Sequence, residues 1–156
     1  MTLRPAVAAD LTPLQGLARS DAVRPYISWA ADELFAQALA DPAQRALVIE
    51  ASGGFAGGAR LVVSNERSRI WTLSTVMLDP VFRGRGLGVA AIRALARLAF
   101  DLGAHRLEAE ILAFNAAGLA AFEAAGFTRE GVRRQAWDRN GWQDGVQFGM
   151  LAGELE

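Results

Sequence analysis

The chain of 156 residues is 52% apolar and 21% charged, so it can build a hydrophobic core unaided. We expect one domain over residues 1–156, since chains of this length usually fold as one unit. The chain has no cysteine and only one histidine, which excludes disulfides, thiolate chemistry and a histidine-rich zinc site, and we expect no metal.

All 16 basic residues are arginines, and the formal net charge is −1, so the charge gives no indication of nucleic-acid binding. No apolar run reaches the length of a membrane span, and the first residues lack the basic-then-apolar pattern of a signal peptide. We therefore expect a cytoplasmic protein with no membrane or nucleic-acid partner.

The first part of the chain predicts a short strand followed by two helices. Residues 3–6 fit the strand, and Asp10 or Thr12 can cap the first helix. Ser28 can cap a second helix that runs to residue 39, before the Asp-Pro pair that ends it.

Three strands are predicted next, in an antiparallel meander. Residues 46–50 and 55–63 form a hairpin across the turn at Gly53 and Gly54. A polar linker leads to a third strand over Ile70–Leu78, which is apolar, rich in β-branched residues and ended by Asp-Pro.

The segment Arg83-Gly-Arg-Gly-Leu-Gly88 joins this third strand to a helix whose apolar residues recur at helical spacing until Gly103. Glycines let the backbone fold back so that several N–H groups converge, and the helix dipole adds positive potential there. Such a loop can bind a phosphate or pyrophosphate, with Arg83 and Arg85 adding charge at its rim.

Two nucleotide classes fit this loop. Residues 86–91 match the dinucleotide pattern G-x-G-x-x-[GA], and Glu108 lies 20 residues beyond Gly88 (108 − 88), near the expected ribose carboxylate. Arg83, Gly86 and Gly88 also match [RQ]-x-x-G-x-[GA]. Only about 50 residues follow the loop, which is too little for a doubly wound sheet, so the rest of the chain favours the second pattern.

The remaining residues predict a strand, a short helix and a hairpin. Arg106–Leu112 alternates charged and apolar residues as a strand does. Asn115 can cap a helix that ends at Gly126, and strands over 128–137 and Trp142–Leu151 are joined by a turn containing Asn-Gly.

This order of elements, the loop at 83–88 and the segment from Asn115 to Gly126-Phe127 resemble the GCN5-related N-acetyltransferase (GNAT) family over almost the whole chain. The segment 23–29 and the spacing of Gly131, Arg134, Asn140-Gly141 and Asp144 look like the branch that acetylates N-terminal amines of ribosomal proteins.

The resemblance implies an α+β, three-layer α/β fold: a central twisted sheet, mixed but mostly antiparallel, of six to seven strands flanked by about four helices. It also implies an enzyme, an N-acetyltransferase that moves the acetyl group of acetyl-CoA to a primary amine by direct attack in a ternary complex. The acceptor is expected to be a small-molecule amine or a peptide N-terminus, and the protein a monomer or homodimer.

Acetyl-CoA is expected in a cleft where the strands Ile70–Leu78 and Arg106–Leu112 diverge. The residues that the resemblance assigns to acetyl-CoA are Val76, Met77, Leu78, Arg83, Gly84, Arg85, Gly86, Leu87, Gly88, Val89, Asn115 and Phe122. Backbone groups of the first three would pair with the pantetheine arm, and those of residues 84–89 would hold the pyrophosphate. Helix capping explains Asn115 equally well.

A neutral amine is required for direct attack, so a general base is expected. The resemblance favours Glu110, with Glu108 in reserve; the alternative for Glu110 is an exposed carboxylate paired with an arginine. Tyr26 and Trp29 are candidates for the acceptor side, or else core aromatics. His105 is expected at a turn away from the cleft.

Many members of the family carry a tyrosine seven residues after the asparagine, where its hydroxyl can protonate the leaving thiolate. Here position 115 + 7 is Phe122, which has no proton to donate. This departure keeps a second hypothesis open, an acyl-CoA-binding module with little or no turnover. The sequence names neither the acceptor amine nor the acyl-chain preference.

Overall fold

The computed structural model of the protein covers all 156 residues and contains one seven-stranded sheet. The strands are β1 (Thr2–Pro5), β2 (Gln44–Ala51), β3 (Gly54–Asn65), β4 (Ile70–Leu78), β5 (Arg106–Leu112), β6 (Thr128–Asp138) and β7 (Trp142–Leu151). Their spatial order is β1-β2-β3-β4-β5-β7-β6, and only the β4–β5 pair is parallel. The predicted mixed, mostly antiparallel sheet is therefore confirmed.

Four α-helices flank the sheet: α1 (Leu11–Arg19), α2 (Ala31–Ala38), α3 (Leu87–Asp101) and α4 (Ala116–Ala124). None of them is both long and apolar enough to cross a lipid bilayer. The longest, α3, buries Ile92, Leu95 and Ala99, which recur at the three- and four-residue spacing of one helix face.

The sheet has a hydrophobic core on each face, because neighbouring strand residues point to opposite sides. Leu47 packs with Leu95 of α3 and Phe148 of β7 in one core. The next residue, Val48, packs with Leu14 of α1 and Phe35 of α2 in the other. The molecule therefore has three layers, with α1 and α2 on one face and α3 and α4 on the other.

Two predicted helix starts differ in detail from the structure. Ser28 does not begin α2; its hydroxyl accepts a hydrogen bond from the Ala30 amide at 3.3 Å, and the helix begins at Ala31. Asp10 directly precedes α1, but its side chain makes no capping bond to that helix. Its carboxylate accepts hydrogen bonds instead from the Val7 amide at 2.7 Å and from both terminal nitrogens of Arg4 at 2.8 Å.

The Arg4–Asp10 pair connects β1 to the start of α1. The Arg4 guanidinium lowers the pKa of the Asp10 carboxyl from its usual 3.8 to about 2. A carboxyl whose pKa is depressed by folding stabilises the protein above the unfolded value, and this contribution is lost as the pH falls through the folded value. We expect Asp10→Asn to lower the free energy of unfolding by about 1–2 kcal/mol at pH 7. In urea titrations the difference from the unchanged protein should persist down to pH 4 and shrink between pH 3.8 and 2.

The control for this prediction is Asp21→Asn, which changes an exposed aspartate that forms no ion pair. It should alter the free energy of unfolding by less than about 0.5 kcal/mol at any pH. Equal effects of the two substitutions would contradict the role of the Arg4–Asp10 pair.

Candidate active site

The parallel pair of strands at the centre of the sheet is short and opens into a cleft. β4 and β5 are paired at Ile70–Arg106, Trp71–Leu107 and Thr72–Glu108, and then they separate. β4 also bulges against β3, since Arg60 pairs with Thr75 and Leu61 with Leu73, which leaves Ser74 as an extra residue. A bulge bends a strand and increases its twist, so it directs β4 away from β5. The resulting cleft has a volume of about 910 Å³ and a mainly apolar lining.

One end of the cleft is formed by the glycine loop before α3. Gly84 and Gly86 have φ angles of +76° and +75°, in the left-handed region that side chains disfavour. Gly86 is the residue before α3, so no side chain caps the first amides of that helix, and they are free to bind an anion. A Cβ placed on Gly84, Gly86 or Gly88 would meet nothing within 4 Å, so open space lies over the loop.

These features fit the shape of acetyl-CoA. Beyond Thr72 the edge of β4 that faces β5 has no strand partner, so its backbone groups can pair with the amides of an extended pantetheine arm. The loop offers amides and the Arg83 side chain to a pyrophosphate at one end of the same cleft. The Arg83 guanidinium is also fixed to the segment after α1, because it donates to the Ala22 carbonyl at 3.1 Å.

Most of the residues assigned to acetyl-CoA line this cleft: Val76, Met77, Leu78, Arg83, Gly84, Gly86, Gly88, Val89, Asn115 and Phe122. Arg85 and Leu87 do not line it. The Leu87 side chain packs instead against a small core that includes Ile49 and Ala91, so only its backbone is available to a ligand at the loop.

Asn115 and Phe122 lie at the start and in the body of α4. The Asn115 side-chain oxygen accepts a hydrogen bond from the Gly118 amide at 2.9 Å, which confirms that it caps α4. Phe122 is buried, with its ring centroid 5.1 Å from that of Phe127 and 5.8 Å from that of Phe148. At the position of the family's tyrosine, this chain therefore has an aromatic ring that forms part of the core as well as the cleft wall.

Glu110 of β5 lies in the cleft and is held by two residues of β6. One terminal nitrogen of Arg133 donates to both carboxylate oxygens, at 2.7 and 3.2 Å, and the Trp137 indole nitrogen donates to one of them at 2.5 Å. The carboxylate lies directly over Gly145 of β7, where an added Cβ would come within 2.0 Å of one of its oxygens. The alternative prediction, that Glu110 pairs with an arginine, is confirmed, but the Glu110 side chain is only 21% exposed and faces the cleft.

A bulge in β6 brings Arg133 and Trp137 to the same carboxylate. Arg133 pairs with Gly145 and Trp137 with Gln143, so residues 134–136 lie opposite the single residue Asp144. Gln135 has a φ of +49°, and its amide donates to the Asp144 carboxylate at 2.8 Å, which holds this strained turn. Sequence reasoning noted Asp144 in a spacing pattern but gave no indication of this arrangement.

The other predicted residues are separated by the structure. Glu108 does not line the cleft, and its carboxylate is held by Arg106 at 2.9 Å. Tyr26 lines the cleft and lies 5.8 Å from Phe114 between ring centroids. Trp29 does not line the cleft, but its ring packs against Arg139, which does; the Arg139 guanidinium lies 4.8 Å from the centre of the Trp29 ring. His105 is exposed at the turn after α3 and is not part of the cleft.

The sequence profile of the acetyltransferase (GNAT) family matches residues 11–127, which is most of the chain and includes the loop, both cleft strands and α4. The chain belongs to the GNAT family. It is therefore an acyltransferase of a family that uses acetyl-CoA as the acetyl donor, and the dinucleotide alternative is excluded.

Two curated relatives from Bacillus subtilis (strain 168) resemble this GNAT chain. One is named "Putative ribosomal protein bS18-alanine N-acetyltransferase" and is 26% identical over 113 residues, which are 72% of this chain and 73% of the relative. The other, named "Probable N-acetyltransferase YjcK", is 36% identical over 76 residues, which are 47% of this chain and 42% of the relative.

Among solved structures, the spermidine N-acetyltransferase of Vibrio cholerae in complex with CoA and spermine has a TM-score of 0.86 to this chain. The two are 22% identical, and the match covers 99% of this chain and 96% of that one. At this level of identity the similarity confirms the GNAT fold and leaves the acceptor open.

The open space over Gly88 gives a prediction for cofactor binding. Gly88 is the second residue of α3, where an acidic side chain is compatible with the helix dipole, so Gly88→Glu should fold. Its carboxylate would occupy and repel the pyrophosphate site. We expect acetyl-CoA affinity to fall by at least about a hundredfold in calorimetry, which corresponds to losing one or two charge-assisted hydrogen bonds.

Gly16→Glu is the matched control, because Gly16 is an exposed helical glycine on α1 with equally open surroundings and no contact with the cleft. It should bind acetyl-CoA normally. Unchanged affinity of folded Gly88→Glu would show that the pyrophosphate binds elsewhere.

Proposed function

We propose that this protein transfers the acetyl group of acetyl-CoA to a primary amine by direct attack within a ternary complex. The observation that carries the proposal is the cleft between β4 and β5, which joins the glycine loop and free strand edge to the carboxylate of Glu110. Both substrates can therefore meet in one cavity. The chain contains no cysteine, so no thioester between the acetyl group and the protein can form, which agrees with direct attack.

The donor half of the cleft is proposed to comprise the edge of β4 at Val76, Met77 and Leu78 and the loop from Arg83 to Val89. Acetyl-CoA supplies the acetyl group as a thioester whose carbonyl oxygen gains negative charge during attack. A free amide of β4 is suited to stabilise that oxygen, because a fixed N–H group in a water-poor site needs no reorganisation. Loop amides at the start of α3 would hold the pyrophosphate.

Glu110 is proposed to be the general base, accepting a proton from the attacking amine directly or through a water. A carboxylate has about four lone-pair positions, and Arg133 and Trp137 engage three of them. The remaining position is available to the acceptor. The same two donors fix the carboxylate in one orientation, which is what proton transfer from a positioned substrate requires.

We propose that the thiolate leaves without a side-chain acid. A thiol with an ordinary pKa near ~8.5 is a far better leaving group than an alkoxide, so backbone polarisation and a water can be enough. The Phe122 ring, packed against Phe127 and Phe148, then serves as a wall of the cleft. This makes a competent transferase the better proposal than a binding module with little turnover.

The acceptor is proposed to enter between Tyr26 and the β6–β7 hairpin, on the face of the sheet that carries α1 and α2. The names of the relatives point to two kinds of acceptor, an alanine of a ribosomal protein and a polyamine. The resemblance to the ribosomal-protein branch and the matching curated relative favour an N-terminal α-amine.

The test of the proposed function is the release of CoA thiol from acetyl-CoA when a panel of amines is offered. The panel contains free amino acids, short peptides with different N-terminal residues, and spermidine. We expect at least one amine to raise thiol release well above the rate with water alone. If acetyl-CoA binds and no amine is acetylated, the acyl-CoA-binding module replaces the transferase.

Glu110→Gln tests the base. The amide keeps the size of the side chain and one acceptor oxygen but cannot take the proton, so we expect turnover to fall on the order of 10²-fold or more. Acetyl-CoA affinity should be nearly intact, and the limb of the pH–rate profile that reports the base should disappear.

Glu108→Gln is the matched control, since Glu108 lies on the same strand face but outside the cleft. Its turnover should stay close to that of the unchanged protein. If Glu110→Gln acetylates amines at the normal rate across the pH range, the base is another group or a water.

A further inference from the structure

A buried arginine without a counterion lies in the wall of the cleft. Arg60 of β3 is only 4% exposed, and no carboxylate lies within 4.0 Å of its guanidinium. Its terminal nitrogens each donate one hydrogen bond at 2.9 Å, to the Gln44 side-chain oxygen and to the Ser74 hydroxyl. Its Nε has no partner. An arginine has five N–H donors, so three remain unused (5 − 2).

A buried guanidinium lowers the stability of the folded protein unless an anion or a full set of hydrogen bonds compensates its charge. Removing a charge from water is expensive, and neutral partners such as Gln44 and Ser74 recover only part of that cost. Burial accordingly lowers the pKa of Arg60 below the ordinary arginine value. The structure gives no internal anion for this cation, and the residue lines the cleft, so an anionic ligand is the natural partner.

Arg60 lies in the wall of the cleft opposite Glu110. Thr72 pairs with Glu108 in the last contact of β4 with β5, so Ser74 would come opposite Glu110 if that register continued. Arg60 is bonded to Ser74 and paired with Thr75, whose buried hydroxyl also has no partner. Two unpartnered polar side chains therefore lie where the cleft opens, across from Glu110.

The remaining charges of the cleft add to this positive character. Four arginines line it, and Glu110 is its only carboxylate. Arg133 already neutralises Glu110, and Arg83 lies at the glycine loop. Arg139, at the β6–β7 turn, stacks on Trp29 and donates to the Ile27 carbonyl at 2.6 Å; nearby Asp138 acts on it electrostatically but forms no ion pair with it.

We propose that the acceptor amine carries a carboxylate and that Arg60, with the Thr75 hydroxyl, binds it. This inference rests on the proposed function and names the class of its acceptor. Binding such a group supplies the missing counterion, whereas a polyamine would bring further positive charge to a positive site. The same positive potential favours the neutral form of the amine, which is the form that attacks.

Two sources of carboxylate have the same chemistry: the α-carboxylate of a free amino acid and an acidic side chain near the N-terminus of a peptide. The experiment therefore uses matched pairs of acceptors: free amino acids against their amides, and peptides beginning with aspartate or glutamate against those beginning with asparagine or glutamine. Spermidine is the cationic comparison. In one of the two sets, we expect kcat/KM from CoA release to favour the carboxylate member by at least about tenfold.

Arg60→Met removes the charge and fills the volume with an unbranched apolar chain, a replacement that buried ionic groups often tolerate. The preference for carboxylates should then disappear, because the rate on the carboxylate member falls toward the rate on its amide. Arg45→Met is the matched control, an exposed arginine on β2 outside the cleft, and it should keep the preference. Thr75→Val removes only the hydroxyl and should weaken the preference, which keeps the test valid if Arg60→Met does not fold.

A binding measurement separates this inference from the proposed function. With CoA present, N-acetyl amino acids and their amides are titrated into the protein in calorimetry, along with N-acetyl peptides of each matched pair. Tighter binding of the carboxylate member, lost in Arg60→Met, supports the inference even if no amine is acetylated. The inference is overturned if amides or spermidine serve as well as carboxylates, or if the preference survives both substitutions.

Discussion

The brief parallel contact between β4 and β5 is the constraint on which the rest of the site depends. Three residue pairs hold the two strands together, and the bulge at Ser74 then turns β4 away. Because the sheet parts here, one edge of β4 keeps its backbone groups free inside the molecule, where an unpaired edge would otherwise be unfavourable. The chain leaves β4 at Asp79-Pro80 and begins α3 at Leu87, directly after Gly86, so the glycine loop lies at the mouth of the same opening.

The surroundings of Glu110 are built by a second irregularity, the bulge in β6. This bulge places Arg133 and Trp137 so that both donate hydrogen bonds to the Glu110 carboxylate. The carboxylate occupies the space where a side chain at Gly145 would lie. These features interrupt the regular β-structure. Gln135 has a positive φ, position 145 is a glycine without a side chain, and residues 134–136 opposite Asp144 are not paired in the sheet. Bulges are common beside active sites because they redirect a strand or its side chains without changing the fold; the bulge at Ser74 turns β4, and the bulge at residues 134–136 redirects Arg133 and Trp137.

The electrostatic contrast between Glu110 and Arg60 gives the cleft its chemical character. Glu110 has its charge compensated by Arg133 and is held in one orientation, which suits its proposed role as proton acceptor. Arg60 is buried deeper and has no anion of its own. Proteins with the same fold can differ in acceptor, because function depends on the side chains of the site, and we propose that these two charges select the amine here. The spermidine N-acetyltransferase of Vibrio cholerae shares the fold at 22% identity, which leaves ample room for such a difference.

The sequence by itself determined most of the elements and the position of the glycine loop, because both depend on local signals. β-Branched residues ended by Asp-Pro predicted Ile70–Leu78, alternation of charged and apolar residues predicted Arg106–Leu112, and the Asn-Gly turn predicted the start of Trp142–Leu151, all with the bounds that the structure has. The spacing of Gly84, Gly86 and Gly88 before a periodic helix likewise predicted the loop. The resemblance ranked Glu110 above Glu108, but only the tertiary structure placed them differently. Glu108 lies where β4 is still paired with β5, and Glu110 lies beyond the last pair, in the cleft. Only the structure revealed the hydrogen bonds from Arg133 and Trp137 to Glu110 and the buried charge of Arg60. The partners in these contacts are 14 to 27 residues apart in the chain. Such contacts depend on strand register and bulges, which produce no periodic pattern in the sequence.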